Sequence, residues 1–82
     1  MTTQQVEHTL TKVFQDIFDD DSIVVRPDLS ANDVPEWDSL THIRMLLTVE
    51  REFKITFSIT EVGDLKNVGE LTDLILKKTS GS

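Results

Sequence analysis

Apolar residues recur at intervals of three and four in three separate stretches of this chain, which dictates helices over those stretches. In the first, Val6, Leu10, Val13, Phe14, Ile17 and Phe18 define one face of a helix from Thr3 to Phe18. Thr2 or Thr3 can cap its start, with Gln5 in capping-box register to Thr2. Asp19-Asp20-Asp21-Ser22 should end it, because acids at a helix C-terminus oppose the macrodipole. The second helix is expected from about Ser39 to Phe53, burying Leu40, Ile43, Leu46, Leu47 and Phe53, with Met45 and Val49 flanking. The third opens at Asn67 with Glu70 in box register, buries Val68, Leu71, Leu74 and Ile75, and closes on Lys77 and Lys78.

Residues 19–38 read as a long loop, with Pro27 and Pro35 as breakers and Asp28, Asn32 and Asp33 as turn formers. Ile23, Val25 and Leu29 are spaced to pin it to the core, and Val24-Val25 has no second strand to pair with. Further on, Ser58-Ile59-Thr60-Glu61 is another capping box and Gly63 a stop, which predicts a helix of one or two turns. The β-forming run Ile55-Thr56-Phe57 makes a lone extended stretch the competing reading. The expected architecture is all-α: an antiparallel four-helix bundle of three long helices and one short, with a long first loop. Residues 1–78 form the domain, and residues 79–82 a flexible polar tail. Phe14, Phe18, Phe53 and Phe57 are read as structural.

Eighty-two residues support one modest core but not a substrate cleft with its own catalytic constellation. Eight Lys and Arg against 15 Asp and Glu give a net charge of −7, wrong for nucleic acid and for an anionic membrane surface. Proteins with basic patches are the natural partners. Cysteine is absent, so no disulfide, thiolate nucleophile or thiolate metal site can form. Met1-Thr2-Thr3-Gln4-Gln5 lacks a positive n-region and an apolar h-region and is not expected to be a secretory signal, and no apolar run approaches the roughly 18–20 residues of a membrane span. A cytoplasmic monomer without stable membrane association is expected. An EF-hand beginning at Asp19 would need Gly at Val24 and Glu at Ser30, and both fail.

The residues that carry chemistry cluster in Glu36-Trp37-Asp38-Ser39-Leu40, where the loop gives way to the second helix. The bland reading makes Asp38 or Ser39 an ordinary N-cap. The setting also suits a phosphoester on Ser39, because unpaired N–H groups at a helix start stabilise an anion. His42 lies close to Ser39, but no third residue orients it as a base, and it reads as a surface histidine, as does His8.

Trp37-Asp38-Ser39-Leu40, Ile43, Leu46-Leu47, Val49-Glu50, Glu52-Phe53, Ile55, Asn67-Val68-Gly69-Glu70-Leu71 and Ile75 together resemble the acyl carrier protein family over most of the chain. Asp-Ser-Leu alone is a weak motif; opening a helix, and combined with the Val-Gly-Glu-Leu start of the last one, it is specific. The resemblance implies a carrier that is not an enzyme, with phosphopantetheine from coenzyme A attached to Ser39 and Asp38 serving transferase recognition. Acyl cargo would travel as a thioester, partly sheltered between helices. The implied partners are a phosphopantetheinyl transferase and enzymes such as acyl-carrier synthetases, acyltransferases or ketosynthases, docking along the second helix. An aminoacyl or peptidyl carrier and an unmodified helical interaction module are the alternatives.

Two departures stand out. Thr41, His42, Arg44 and Arg51 occupy positions often acidic in housekeeping fatty-acid carriers. The bland reading is a solvated helix face carrying Arg44 and Arg51 beside Glu50 and Glu52, and the functional one is that the exchanged charge alters steering and rejects wrong partners. Trp37, Leu40, His42, Arg44 and Arg51 form the expected docking set of a specialised carrier, in a fatty-acid, polyketide-like or other biosynthetic pathway. Trp37 replaces a usually small residue; it reads either as a hydrophobic staple or as an aromatic contact for the arm or a partner.

Overall fold

A computed structural model describes residues 2–63 and 65–80 of the chain, with only the backbone of Ser80. Helix α1 spans Thr3–Phe18, α2 Ser39–Phe53, α3 Ile59–Val62 and α4 Val68–Ser80, and no strand occurs among the described residues. The chain is therefore the expected four-helix bundle with one short member. Helix α1 packs against both α2 and α4, and its Val6, Leu10, Val13, Phe14 and Phe18 are all buried. Its start is the predicted box: the Thr2 hydroxyl accepts from Gln5 N–H, and the Gln5 side chain accepts from Thr2 N–H. It ends at Asp19 in the left-handed conformation (φ 50°), a region Asp tolerates better than most residues.

The first loop is fastened rather than loose. Ile23, Val25, Leu29 and Val34 are buried in the same core as the helices. Gln15 donates its side-chain amide to the carbonyls of Asp21 and Ile23, and the Thr11 hydroxyl accepts from Val25 N–H. A 3-10 turn, Ala31–Asp33, interrupts the segment read as irregular throughout. The loop also caps α4. Val68 N–H donates to Leu29 O (2.8 Å) and Gly69 N–H to Pro27 O (2.9 Å), satisfying donors that a helix start leaves unpaired. A Cβ on Gly69 would lie 2.9 Å from Pro27 O, so only glycine admits this approach. The predicted box at Asn67 is half realised. Asn67 Oδ1 accepts from Glu70 N–H, but the Glu70 carboxylate accepts from Lys66 N–H instead of the cap.

Helix α2 corrects the sequence reading of its buried face. Met45, Val49 and Phe53 are buried, while Leu40, Ile43 and Leu47 are 68, 55 and 60 % exposed and Leu46 is half-buried. The helix carries two apolar stripes, and α1 selects the one built on Met45. At about 100° per residue, Leu40, Ile43 and Leu47 stand roughly 160–220° around the helix from Met45.

Smaller corrections concern the second half. The Ile55–Phe57 segment is not helical and pairs with no strand among the described residues. The Glu50 carboxylate, read as part of a solvated face, accepts from Phe57 N–H (2.7 Å) and pins this connection. Gly63 ends α3 without a left-handed turn. Lys78 does not merely close α4: its ammonium pairs with Glu61 of α3 (2.9 Å) and lies 6.0 Å from the Phe57 ring centroid. In α4, Val68, Leu71 and Ile75 are buried as expected, Leu74 is half-buried, and Thr72 is buried in addition. The helix continues through Thr79 and Ser80, two residues into the predicted tail, and the remaining tail lies outside the described residues.

Candidate functional site

The N-terminus of α2 resolves which residue caps it. Asp38 is the N-cap: its carboxylate accepts from Thr41 N–H (2.9 Å), and the Thr41 hydroxyl accepts from Asp38 N–H (2.8 Å). These Thr41 bonds, the backbone one foremost, hold the Asp38 carboxyl below its ordinary range, so it is ionised at neutral pH. Ser39 is thereby released from capping. It is the first residue of α2, exposed, and its hydroxyl makes no hydrogen bond among the described residues. A free primary hydroxyl, a neighbouring carboxylate and an open helix start therefore coincide at one point.

Two cavities meet beside it. An open cleft is lined by Ala31, Trp37, Asp38, Ser39, His42 and Ile43. Behind it, an inner cavity of about 80 Å³ is lined by Ala31, Trp37, His42, Met45, Leu65, Lys66, Asn67, Val68 and Leu71. Trp37 is half-buried, and of its two sequence readings the structure realises a structural anchor. Its indole stands edge-on to Phe14 (5.3 Å between centroids) and tilted on Phe18 (6.0 Å). Its Nε1–H donates to His42 Nδ1 (3.1 Å), and the two rings stack at 6.0 Å and 23°. His42 is thus not the free surface histidine expected. Burial lowers its pKa, and a neutral ring with Nδ1 as acceptor suits the Trp37 bond.

The remaining predicted residues are spread along the outer face of α2. Leu40, Arg44 and Arg51 are exposed, and neither arginine forms an ion pair among the described residues. Arg44 and Arg51 line a shallow groove with Ile17, Leu47 and Thr48, far enough along the helix that only Leu40 borders the Ser39 end. Sequence reasoning missed Ile43 and Leu47 as surface residues. They continue the Leu40 stripe, and Ile43 joins the Ser39 cleft to a groove lined by Leu46, Leu47, Phe57, Ile59 and Val62. The available signal was the second stripe, Met45-Val49-Phe53, at perfect helical spacing.

No side-chain cluster suited to a metal ion occurs among the described residues, and Asp20 instead accepts from the N–H and hydroxyl of Ser22. No family model and no curated protein matches the chain. Among solved structures, the solution NMR structure of the holo acyl carrier protein of Geobacter metallireducens is similar. The identity is 45 %, the TM-score 0.87, and the match covers 93 % of this chain and 87 % of that one. An identity this high over nearly the whole length, on the same helical frame that exposes Ser39, leaves one conclusion: the chain belongs to the acyl carrier protein family.

Proposed function

We propose that this acyl carrier protein bears phosphopantetheine on the Ser39 hydroxyl and presents acyl groups on that arm to biosynthetic enzymes. The observation that carries the reading is the division of labour at the α2 start. Asp38 performs the capping, so the Ser39 hydroxyl stays exposed and unbonded. The residues present fit the group. A phosphodiester on Ser39 would lie against the positive end of α2, and the adjoining cleft offers the apolar surfaces of Trp37 and Ile43. When attached, the arm supplies the thiol that the polypeptide lacks. The similar structure is that of a holo carrier, which supports the same assignment.

Asp38 serves the transferase as the ionised neighbour of the hydroxyl. The exposed stripe Leu40, Ile43 and Leu47, edged by Arg44 and Arg51, is the docking face for partner enzymes such as synthetases, acyltransferases or ketosynthases. Trp37 and His42 contribute to partners only through the cleft they line. No helix among the described residues is long and apolar enough to cross a membrane. A cytoplasmic monomer serving a specialised acyl pathway is the setting this reading favours.

Intact mass after incubation with coenzyme A and a broad-specificity transferase tests the assignment. The expected result is a gain of one phosphopantetheine, absent in Ser39→Ala. Substituting Ser39 should leave the melting temperature unchanged, because Asp38 is the cap, whereas Asp38→Ala should lower it. No mass gain on folded, unmodified protein would refute the reading.

A further inference from the structure

The inner cavity and the outer cleft share Ala31, Trp37 and His42. On the outer side lie Asp38, Ser39 and Ile43; on the inner side Met45, Leu65, Val68 and Leu71 form an apolar floor, with Lys66 and Asn67 at its edge. This border is held in place by the Trp37 Nε1–H to His42 Nδ1 bond of 3.1 Å, by the stack of the two rings, and by the contacts of the indole with Phe14 and Phe18. An anchored indole therefore borders both the cleft beside the attachment hydroxyl and the inner cavity. The space behind it is small. Its volume of about 80 Å³ is roughly half that of the ~150 Å³ apolar cavity known to admit a benzene ring.

We propose that the hydrogen-bonded Trp37–His42 pair is the specificity-determining partition of this carrier, admitting short acyl chains to the interior and excluding long ones while it stays closed. The inference rests on Ser39 being the attachment site. With the pair intact, the inner cavity takes roughly three methylene-sized groups, half of the six carbons of benzene. A longer chain must either part the two rings or lie exposed in the outer cleft. Burying such a chain is favourable in proportion to the apolar area removed from water, so long cargo favours the parted state. The pair acts by excluding and positioning cargo and takes no part in chemistry.

Trp37 is the sole tryptophan and reports its own environment. The full-length protein is loaded from acetyl-, butyryl-, hexanoyl- and octanoyl-coenzyme A with a broad-specificity transferase, and each product is verified by mass. The indole N–H resonance and Trp emission are then read for each. The expected result is signals matching the holo protein, loaded from coenzyme A itself, through butyryl and a displaced indole resonance with shifted emission from hexanoyl onward. In Met45→Ala, which deepens the floor and keeps both partners of the Trp37–His42 bond, the change should move to a longer chain. His42→Leu, which removes the acceptor, should abolish the step between butyryl and hexanoyl. Indole signals that do not depend on chain length in correctly loaded wild-type protein would overturn the partition while leaving Ser39 as the attachment site. Failure to gain mass from every donor would instead remove the attachment reading, and the partition with it.

Discussion

Replacing Gly69 by alanine sets two structural effects of opposite sign against each other. By helix propensity alone, alanine should stabilise α4 by up to about 1 kcal/mol over glycine. The tertiary contact opposes this. The added Cβ would sit 2.9 Å from Pro27 O, 3.3 Å from Pro27 Cα and 3.3 Å from Asn67 Oδ1, and two of these are backbone atoms that cannot rotate away. Relief requires the Pro27–Leu29 segment to retreat, an overpacking strain of about 1–3 kcal/mol. Retreat also lengthens the bonds from Gly69 N–H to Pro27 O and from Val68 N–H to Leu29 O, each contributing about 0.5–1.5 kcal/mol. The contact wins, for a net loss of about 1–3 kcal/mol, which in a domain of this size lowers the melting temperature by roughly 5–20 °C. Thermal unfolding followed by far-UV circular dichroism measures it. A Gly69→Ala protein as stable as the parent, or more so, would refute the argument that the first loop is clamped to the start of α4.

Three other outcomes follow from particular positions. Met45→Ala should cost about 2–5 kcal/mol in denaturant unfolding, and Leu47→Ala about 0.5 kcal/mol or less, since Met45 is 1 % exposed and Leu47 60 %; equal costs would mean that α2 is rotated. Thr72 is 3 % exposed, and its hydroxyl has no partner among the described residues. Thr72→Val should therefore raise stability by about 1 kcal/mol, and a loss of that size would reveal a hydrogen bond to the hydroxyl. His42 is held neutral by burial, so its pKa is lower in the folded than in the unfolded chain. Above the unfolded value it is neutral in both states and contributes no pH dependence; as pH falls through that value the unfolded chain takes up the proton first, and stability drops until the folded pKa is passed. His42→Gln should flatten this part of the stability–pH profile, and an unchanged slope between the two variants would discount burial of the ring.

The local features of this fold were legible from the residues themselves because their causes are local. The Thr2–Gln5 and Ser58–Glu61 boxes, the end of α1 at the acid triplet and the short α3 each depend on atoms a few residues apart. Ser39 was legible as the candidate attachment residue because Asp38-Ser39-Leu40 opens a helix and stands with the Val-Gly-Glu-Leu start of the last one. Which residue caps was settled only when Thr41 closed the box with Asp38, freeing Ser39.

Tertiary structure decided what a single helix cannot. Helix α2 carries two apolar stripes of equal periodicity, and only the surface of α1 determines that Met45, Val49 and Phe53 turn inward while Leu40, Ile43 and Leu47 remain exposed. The same holds for Trp37, whose role depends on Phe14 and Phe18 more than a dozen residues earlier in the chain. Gly69 and Glu50 likewise looked like motif residues or solvated charge until the loop and the α2–α3 connection were in place beside them. Periodicity tells which residues share a face; only the neighbouring element, by removing one face from water, tells which face is the core.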